Sequence, residues 1–387
     1  LATIQAQGLR GGGAEGTAGA AVAPVLPVAP ILPAAVPPAT SAAVSAGLAA
    51  VSAGTGKKWA YVTILSTSRE RRRYIGYMSG ILVADRALKK LNTNADFWVF
   101  VVSTPGVERL PEKDESLLVR NQVKFKYITP PWKMPTNSVG GVMLTKIYCW
   151  TLEQYERVLY IDSDVFPTSN MDEYFATERS TGFAGGRSPL NGGFLVLTPG
   201  QKVFDRMSAL IAKKGDIAEG DQPPVGWNPE VGWGSPLEKF FKTGGKFREA
   251  KGWHFNAAWS DQGLLYHYLR FVEETGVDII EVPQSKPQNV KKLTYKLGSL
   301  VSESAAQSFP VLFEHFAGAV KPWNLCPKRT KSELVGEVKR SLSADKRTAA
   351  KENAFWVWHT IYNELDTDLT LAELVMIMTP DRRCNNV

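Results

Sequence analysis

The chain has 387 residues, 44% of them hydrophobic and 21% charged, and its 45 basic and 38 acidic residues leave a net charge of +7. That length suits one large α/β domain with appendages, and a chain of this size buries a core readily. Nothing in it reads as a membrane helix, which needs roughly 18 to 20 uninterrupted apolar residues: the most apolar stretch, residues 20–38, is interrupted by Pro24, Pro27, Pro30, Pro33, Pro37 and Pro38. Nucleic acid is not indicated, because the only dense basic cluster is Arg69-Glu70-Arg71-Arg72-Arg73 and no basic stripe carries interleaved aromatics. A basic balance of this kind also suits a small anionic substrate such as a nucleotide-linked one. Cys149, Cys326 and Cys384 lack C-x-x-C spacing and are expected to form no disulfide framework, which favours a reducing compartment.

Residues 1–56 are almost wholly Ala, Gly, Pro, Val and Ser. Prolines at about every third position favour extended geometry, so this stretch reads as an arm or linker that packs on its own domain or holds a protein partner. The opening Leu reads as a processed start, compatible with an organelle or lumenal compartment, or as that of a fragment. A first strand is expected at Trp59 to Ser66, then a helix from Tyr74 to Leu91 with Tyr77, Ile81, Ala84 and Leu88 at helical spacing. Asp96 to Val102 is apolar throughout, as buried parallel strands are, and Lys124 to Ile128 reads as a third strand. This order opens a nucleotide-binding α/β sheet. A helix from Met143 to Glu156 is expected to lead into the run Arg157-Val158-Leu159-Tyr160-Ile161-Asp162-Ser163-Asp164-Val165. Alternation along a strand would put Asp162 and Asp164 on one side and turn Ser163 away. Two carboxylates on one face suit a divalent cation such as Mg²⁺ or Mn²⁺, while the bland alternative is a turn cap beside a solvated carboxylate. Further on, Val311 to Glu314 reads as a short strand that ends on His315, an imidazole able to ligate Mn²⁺, although a lone histidine is more often a satisfied structural one. Gly318 permits close backbone approach and Lys321 offers a point charge for a phosphate. Lys331 to Asn353, Phe355 to Tyr362 and Leu369 to Met378 read as helices that pack back on the domain.

Four motifs in order carry a resemblance. Leu144 to Tyr155 followed by Tyr160-Ile161-Asp162-Ser163-Asp164, then Asn191-Gly192-Gly193-Phe194, then Ser260-Asp261-Gln262-Gly263, and finally His315-Phe316-Ala317-Gly318-Ala319-Val320-Lys321-Pro322-Trp323-Asn324 resemble the glycogenin-like sugar transferases, glycosyltransferase family 8. The likeness spans residues 59–324. It implies a GT-A-type α/β fold, a mostly parallel sheet flanked by helices, over residues 57–325; past Asn324 the likeness fades, and residues 326–387 read on their own as a helical tail packed on the domain. It also implies transfer from a UDP-sugar with retained anomeric configuration and Mn²⁺, Mg²⁺ being compatible, to a carbohydrate or protein acceptor.

By that resemblance Asp162, Asp164 and His315 hold the metal. Lys321 and Gly318 contact the diphosphate, and Lys146, Ser163 and Tyr74 belong to the donor site, Tyr74 being equally readable as a buried helix residue. Without the resemblance Lys146 would be read as facing solvent. Asn191, Asp261 and Gln262 contact the sugar, Asp261 as the nucleophile or stabilising carboxylate. The chain departs from glycogenin in extra length that includes Gly220 to Trp259, where Trp227, Trp233, Trp253 and Trp259 form either a carbohydrate-stacking lid or, more in keeping with their number, the anchors of a long loop. Tyr295 sits in unlike surroundings to the self-glucosylated tyrosine of the family. Two other readings compete: a transferase fold kept as a catalytically silent subunit, and a nucleotidyl transferase or pyrophosphatase, which leaves the His-to-Trp motif unexplained.

Overall fold

In the computed structural model, the described residues are 58–132, 139–177, 179–185, 188–214, 223, 227–234, 253, 255–272, 277–281, 313–328, 330–342, 349–380 and 384. The arm over residues 1–56, Tyr295 and most of the stretch 220–252 lie outside them.

Strands β1 (Trp59–Ser66), β2 (Asp96–Val102), β3 (Lys124–Ile128) and β4 (Arg157–Ile161) form a parallel group in the order β3-β2-β1-β4. β6 (Ser180–Gly185), β7 (Ser188–Leu197) and β8 (Val277–Glu281) extend it to seven strands as β4-β7-β6-β8, with β7 antiparallel to both neighbours. The sheet is thus mostly parallel, as the α/β expectation had it. β2 is buried along its whole length, which explains its unbroken apolar run. A two-stranded antiparallel piece, β5 (Val165–Pro167) with β9 (Phe313–His315), stands apart and sets Val165 opposite His315.

Helix α1 (Ile75–Lys90) covers one face of the sheet. It is itself covered by α7 (Ala349–Tyr362) and α8 (Leu371–Met378), so apolar side chains surround it and Tyr77 is exposed at 37%. The aromatic run of α7 packs inward: Phe355 meets Phe316 at 4.8 Å, Trp358 meets Trp323 at 5.9 Å, and Trp358 stacks on Tyr362 at 5.4 Å. Both α6 (Lys331–Ser341) and α8 begin with capping boxes, Thr330 with Glu333 and Thr370 with Glu373. Helix α2 (Glu112–Arg120) links β2 to β3, and α4 (Gln201–Lys214) follows β7.

Several expectations are corrected. The helix placed at Met143 to Glu156 is a short α3 (Val139–Leu144) running into a tighter 3-10 segment, Thr145–Thr151. The aspartate strand stops at Ile161, and the two carboxylates sit in a turn closed by Val165 N–H donating to Asp162 C=O at 2.9 Å. Cys326 and Cys384 form a disulfide with Cα atoms 5.5 Å apart, against the expectation of none, while Cys149 is free and buried. Spacing rules missed this pair because its 58-residue separation is closed by the packing of α6 to α8, which no local motif encodes. Trp233 and Trp253 are buried, Trp233 donating to Ala258 C=O at 2.9 Å, so these two anchor their loop.

Candidate active site

The turn after β4 and the end of β9 meet because β5 pairs with β9 and Phe316 N–H donates to Asp164 C=O at 3.0 Å. His315 Nε2 thereby lies 3.2 Å from Asp164 Oδ1 and 3.9 Å from Asp162 Oδ2. One ligand atom from each of Asp162, Asp164 and His315 falls within 4.8 Å of the others, the spacing a divalent cation can bridge with small side-chain adjustments. The three side chains keep 20%, 14% and 17% of their surface, so the cluster opens to solvent. Two oxygens and an imidazole suit Mn²⁺ in donor chemistry, and a hard oxygen-preferring cation can share the site.

Two lysines flank the cluster. Lys321, 8% exposed, holds Asp164 Oδ2 at 2.5 Å and also donates to Phe316 C=O. Burial works to raise the Asp164 pKa, but hydrogen bonds and charge from His315 and Lys321 prevail and hold it well below the usual carboxylate range. Lys146 is 3% exposed, which overturns the solvated-face reading. Its ammonium lies 2.6 Å from Asp261 Oδ2 and 3.1 Å from Asp162 Oδ1, and it donates to Gly192 C=O at 2.9 Å. Burial disfavours the charged amine, yet Asp162 and Asp261 raise its pKa above the ordinary lysine value, so it stays charged.

The Asn191-Gly192-Gly193 stretch lies where β7 slips against β6, with register shifts on either side of Phe183. On the β4 side Gly193 C=O continues the ladder by accepting from Asp162 N–H at 3.0 Å, and Gly193 N–H donates to Asn191 Oδ1 at 2.7 Å. Asp261 opens helix α5 (Asp261–His267) and is 4% exposed. Gln262 spends its amide on backbone, accepting from Gly192 N–H at 3.3 Å and donating to Asn256 C=O at 2.9 Å. It braces α5 against β7.

Gly318 lies in an exposed loop at φ +96°, a backbone conformation that favours glycine, with open space where a Cβ would be. Ser163 turns its carbonyl toward α1, where a Cβ on Gly80 would meet it at 2.5 Å. Tyr74 does not join this group. It is 1% exposed, and its hydroxyl donates at 2.6 Å to Asp114, which also pairs with Arg71. Tyr77, one helical turn further on, lies beside the cluster instead: its ring lies 5.9 Å from Lys321 Nζ and 5.4 Å from the Trp323 ring. Burial, then the charges of Asp164 and Asp162, push its pKa up. Helical periodicity marked Tyr77 as a core position, and nothing in the sequence distinguished it from Tyr74. Tyr160 was also missed, hidden in an apolar run; its hydroxyl donates to Asp162 Oδ1 at 2.7 Å.

Comparison with known proteins finds relatives of the kind the motifs resemble. No family model matches the chain. Glycogenin-1 of Homo sapiens is 31% identical over 261 residues, 64% of this chain and 59% of that protein, so the chain spans about three fifths of this relative. Glycogenin-1 of Oryctolagus cuniculus is 30% identical over 152 residues, 38% of this chain and 45% of that protein. Galactinol synthase 10 of Arabidopsis thaliana is 28% identical over 134 residues, 33% and 37% of the two chains. Among solved structures, the galactosyltransferase LgtC in complex with donor and acceptor sugar analogues covers 80% of this chain and 96% of its own at 11% identity and a TM-score of 0.43. By its sequence relatives, the chain is similar to the glycogenin-like glycosyltransferases.

Proposed function

We propose that this chain is a Mn²⁺-dependent retaining glycosyltransferase that takes its sugar from a UDP-sugar. The observation that supports this reading is the convergence of Asp162, Asp164 and His315 in one solvent-open cluster flanked by Lys321 and Lys146. Bound there, the cation supplies Lewis-acid neutralisation of the charge that builds on the UDP diphosphate. Lys321, paired with Asp164, offers a second positive charge beside the same carboxylate and would contact a phosphate oxygen of the donor. The Gly318 loop leaves room for the phosphates.

Asp261 and Asn191 face the sugar in this reading, and Gln262 holds the two segments that carry them together. Lys146 pairs with Asp261 at 2.6 Å and so holds that carboxylate ionised and fixed in direction, as nucleophile or as stabilising charge. In the reaction the bond from the anomeric carbon to the UDP oxygen breaks, a bond to the acceptor oxygen forms on the same face, and the acceptor hydroxyl's proton passes to the departing UDP oxygen. The silent-subunit reading has no use for a solvent-open cluster of metal ligands, and its main support, the arm, lies outside the described residues.

Calorimetric titration of UDP with and without Mn²⁺ tests the reading. Metal-dependent UDP binding that disappears in Asp164→Asn and His315→Ala, with folding intact, is the expected result. Absence of UDP binding under either condition would sink it and favour a fold kept for its surface.

A further inference from the structure

Tyr160 sits inside β4 at 2% exposure, where an aromatic ring packs without any need of its hydroxyl. A buried hydroxyl costs free energy unless it is hydrogen-bonded, and this one donates to Asp162 Oδ1 at 2.7 Å. The same oxygen lies 3.1 Å from Lys146 Nζ, and that ammonium lies 5.0 Å from the centroid of the Tyr160 ring. Asp162 Oδ1 is therefore held from two sides. Oδ2 is the oxygen turned toward His315, 3.9 Å from its Nε2.

We propose that Tyr160 is a positioning residue for metal binding: its hydroxyl fixes the plane of the Asp162 carboxylate so that Oδ2 alone is presented to a divalent cation. The inference rests on the metal role assigned to Asp162 above. A carboxylate at a turn is free to rotate about its Cβ–Cγ bond, and each competing orientation lowers the fraction of chains ready to bind. Outer partners that orient a metal ligand are commonly worth 10- to 100-fold in metal affinity. Lys146 also touches Oδ1, but its ammonium is divided among Asp162, Asp261 and Gly192 C=O, whereas the Tyr160 hydroxyl is spent on Oδ1 and its ring is packed in the core of the sheet.

The test is a titration of metal-free protein with Mn²⁺ alone, followed by the paramagnetic resonance signal of free Mn²⁺ and by calorimetry. Parent, Tyr160→Phe and Asp162→Asn are compared, each also unfolded in urea with EDTA present. The expected result is that Tyr160→Phe unfolds with the parent in the absence of metal but binds Mn²⁺ about tenfold or more weakly. Parent-like Mn²⁺ affinity in Tyr160→Phe, beside lost affinity in Asp162→Asn, overturns the positioning role and leaves the metal site standing. Parent-like affinity in Asp162→Asn overturns the metal role and this inference with it. A Tyr160→Phe chain that does not fold also overturns it, since the hydroxyl would then serve the fold.

Discussion

Gly80→Ala sets two effects of similar size against each other. Gly80 lies in the middle of α1, where replacing glycine by alanine favours the helix by about 1 kcal/mol. The added methyl would stand 2.5 Å from the Ser163 carbonyl oxygen and 2.8 Å from the Trp323 ring, whereas ordinary contact begins at 3.4 Å. Helix, turn or ring must give by close to an ångström, and overpacking of this kind costs about 1–3 kcal/mol. The obstacle is backbone on one side and a buried indole on the other, so the upper part of that range, about 2–3 kcal/mol, applies, and less the helix gain a net loss of about 1–2 kcal/mol is expected in urea unfolding. Ser163 joins the two aspartates, so the same displacement moves both ligands. A shift beyond about 0.5 Å degrades a preorganised site, and Mn²⁺ affinity should fall by about tenfold or more. Gly336→Ala in α6 is the internal control: its methyl would meet only the Arg340 guanidinium at 3.6 Å, so the gain of about 1 kcal/mol should appear undiminished. If Gly80→Ala matches the control in stability and binds Mn²⁺ like the parent, α1 does not press on the aspartate turn and the reasoning fails.

Lys146→Met strands two carboxylates, Asp261 at 5% and Asp162 at 20% side-chain exposure, and should cost about 3–5 kcal/mol in the same assay. Asp261→Asn should then reverse its sign with background, destabilising the parent but stabilising Lys146→Met; equal effects in both would show that the pair is not coupled. His359 is buried on α7 with Nε2 2.9 Å from the Pro322 carbonyl oxygen, and burial pushes its pKa down to about 4. Between that value and the unfolded value of about 6.5 the unfolded chain takes up a proton that the folded chain refuses, so this stability is complete above the upper value and is lost as pH falls. Urea unfolding at pH 7 and pH 5 should cost the parent about 2 kcal/mol more than His359→Gln; an equal loss in both would place the histidine outside the linkage.

The parallel strands were legible because burial on both faces removes the alternation that complicates other strands, and their bounds at Trp59–Ser66 and Asp96–Val102 match those read from the chain. The helix before β4 was misjudged. Its apolar residues kept helical spacing, but the tight 3-10 turn that buries Lys146 and Trp150 together is a tertiary outcome. The disulfide and the pairing of β5 with β9 failed for the same reason, being contacts between segments far apart in sequence. The starts of the helices read at Lys331 and Leu369 fall within two residues of the observed ones, Lys331 and Leu371, where Thr-x-x-Glu boxes cap them.

The aspartate pair does come together with His315, but not through the geometry read from the chain. Strand alternation would have aimed both carboxylates from a rigid ladder, but the ladder ends at Ile161 and a turn delivers them. A turn holds direction poorly unless other groups restrain it, and the restraints come from every side: Gly193 C=O on the Asp162 amide, Tyr160 and Lys146 on Oδ1 of Asp162, Lys321 on Asp164, and α1 behind Ser163. The Lys-Pro-Trp ending of the last motif belongs to the same device. Lys321 reaches the carboxylate, while Trp323, 1% exposed, wedges against Gly76 and Gly80 and fixes how near α1 comes to the turn. Half of that motif is therefore packing and half chemistry, and the packing half sets where the chemistry sits.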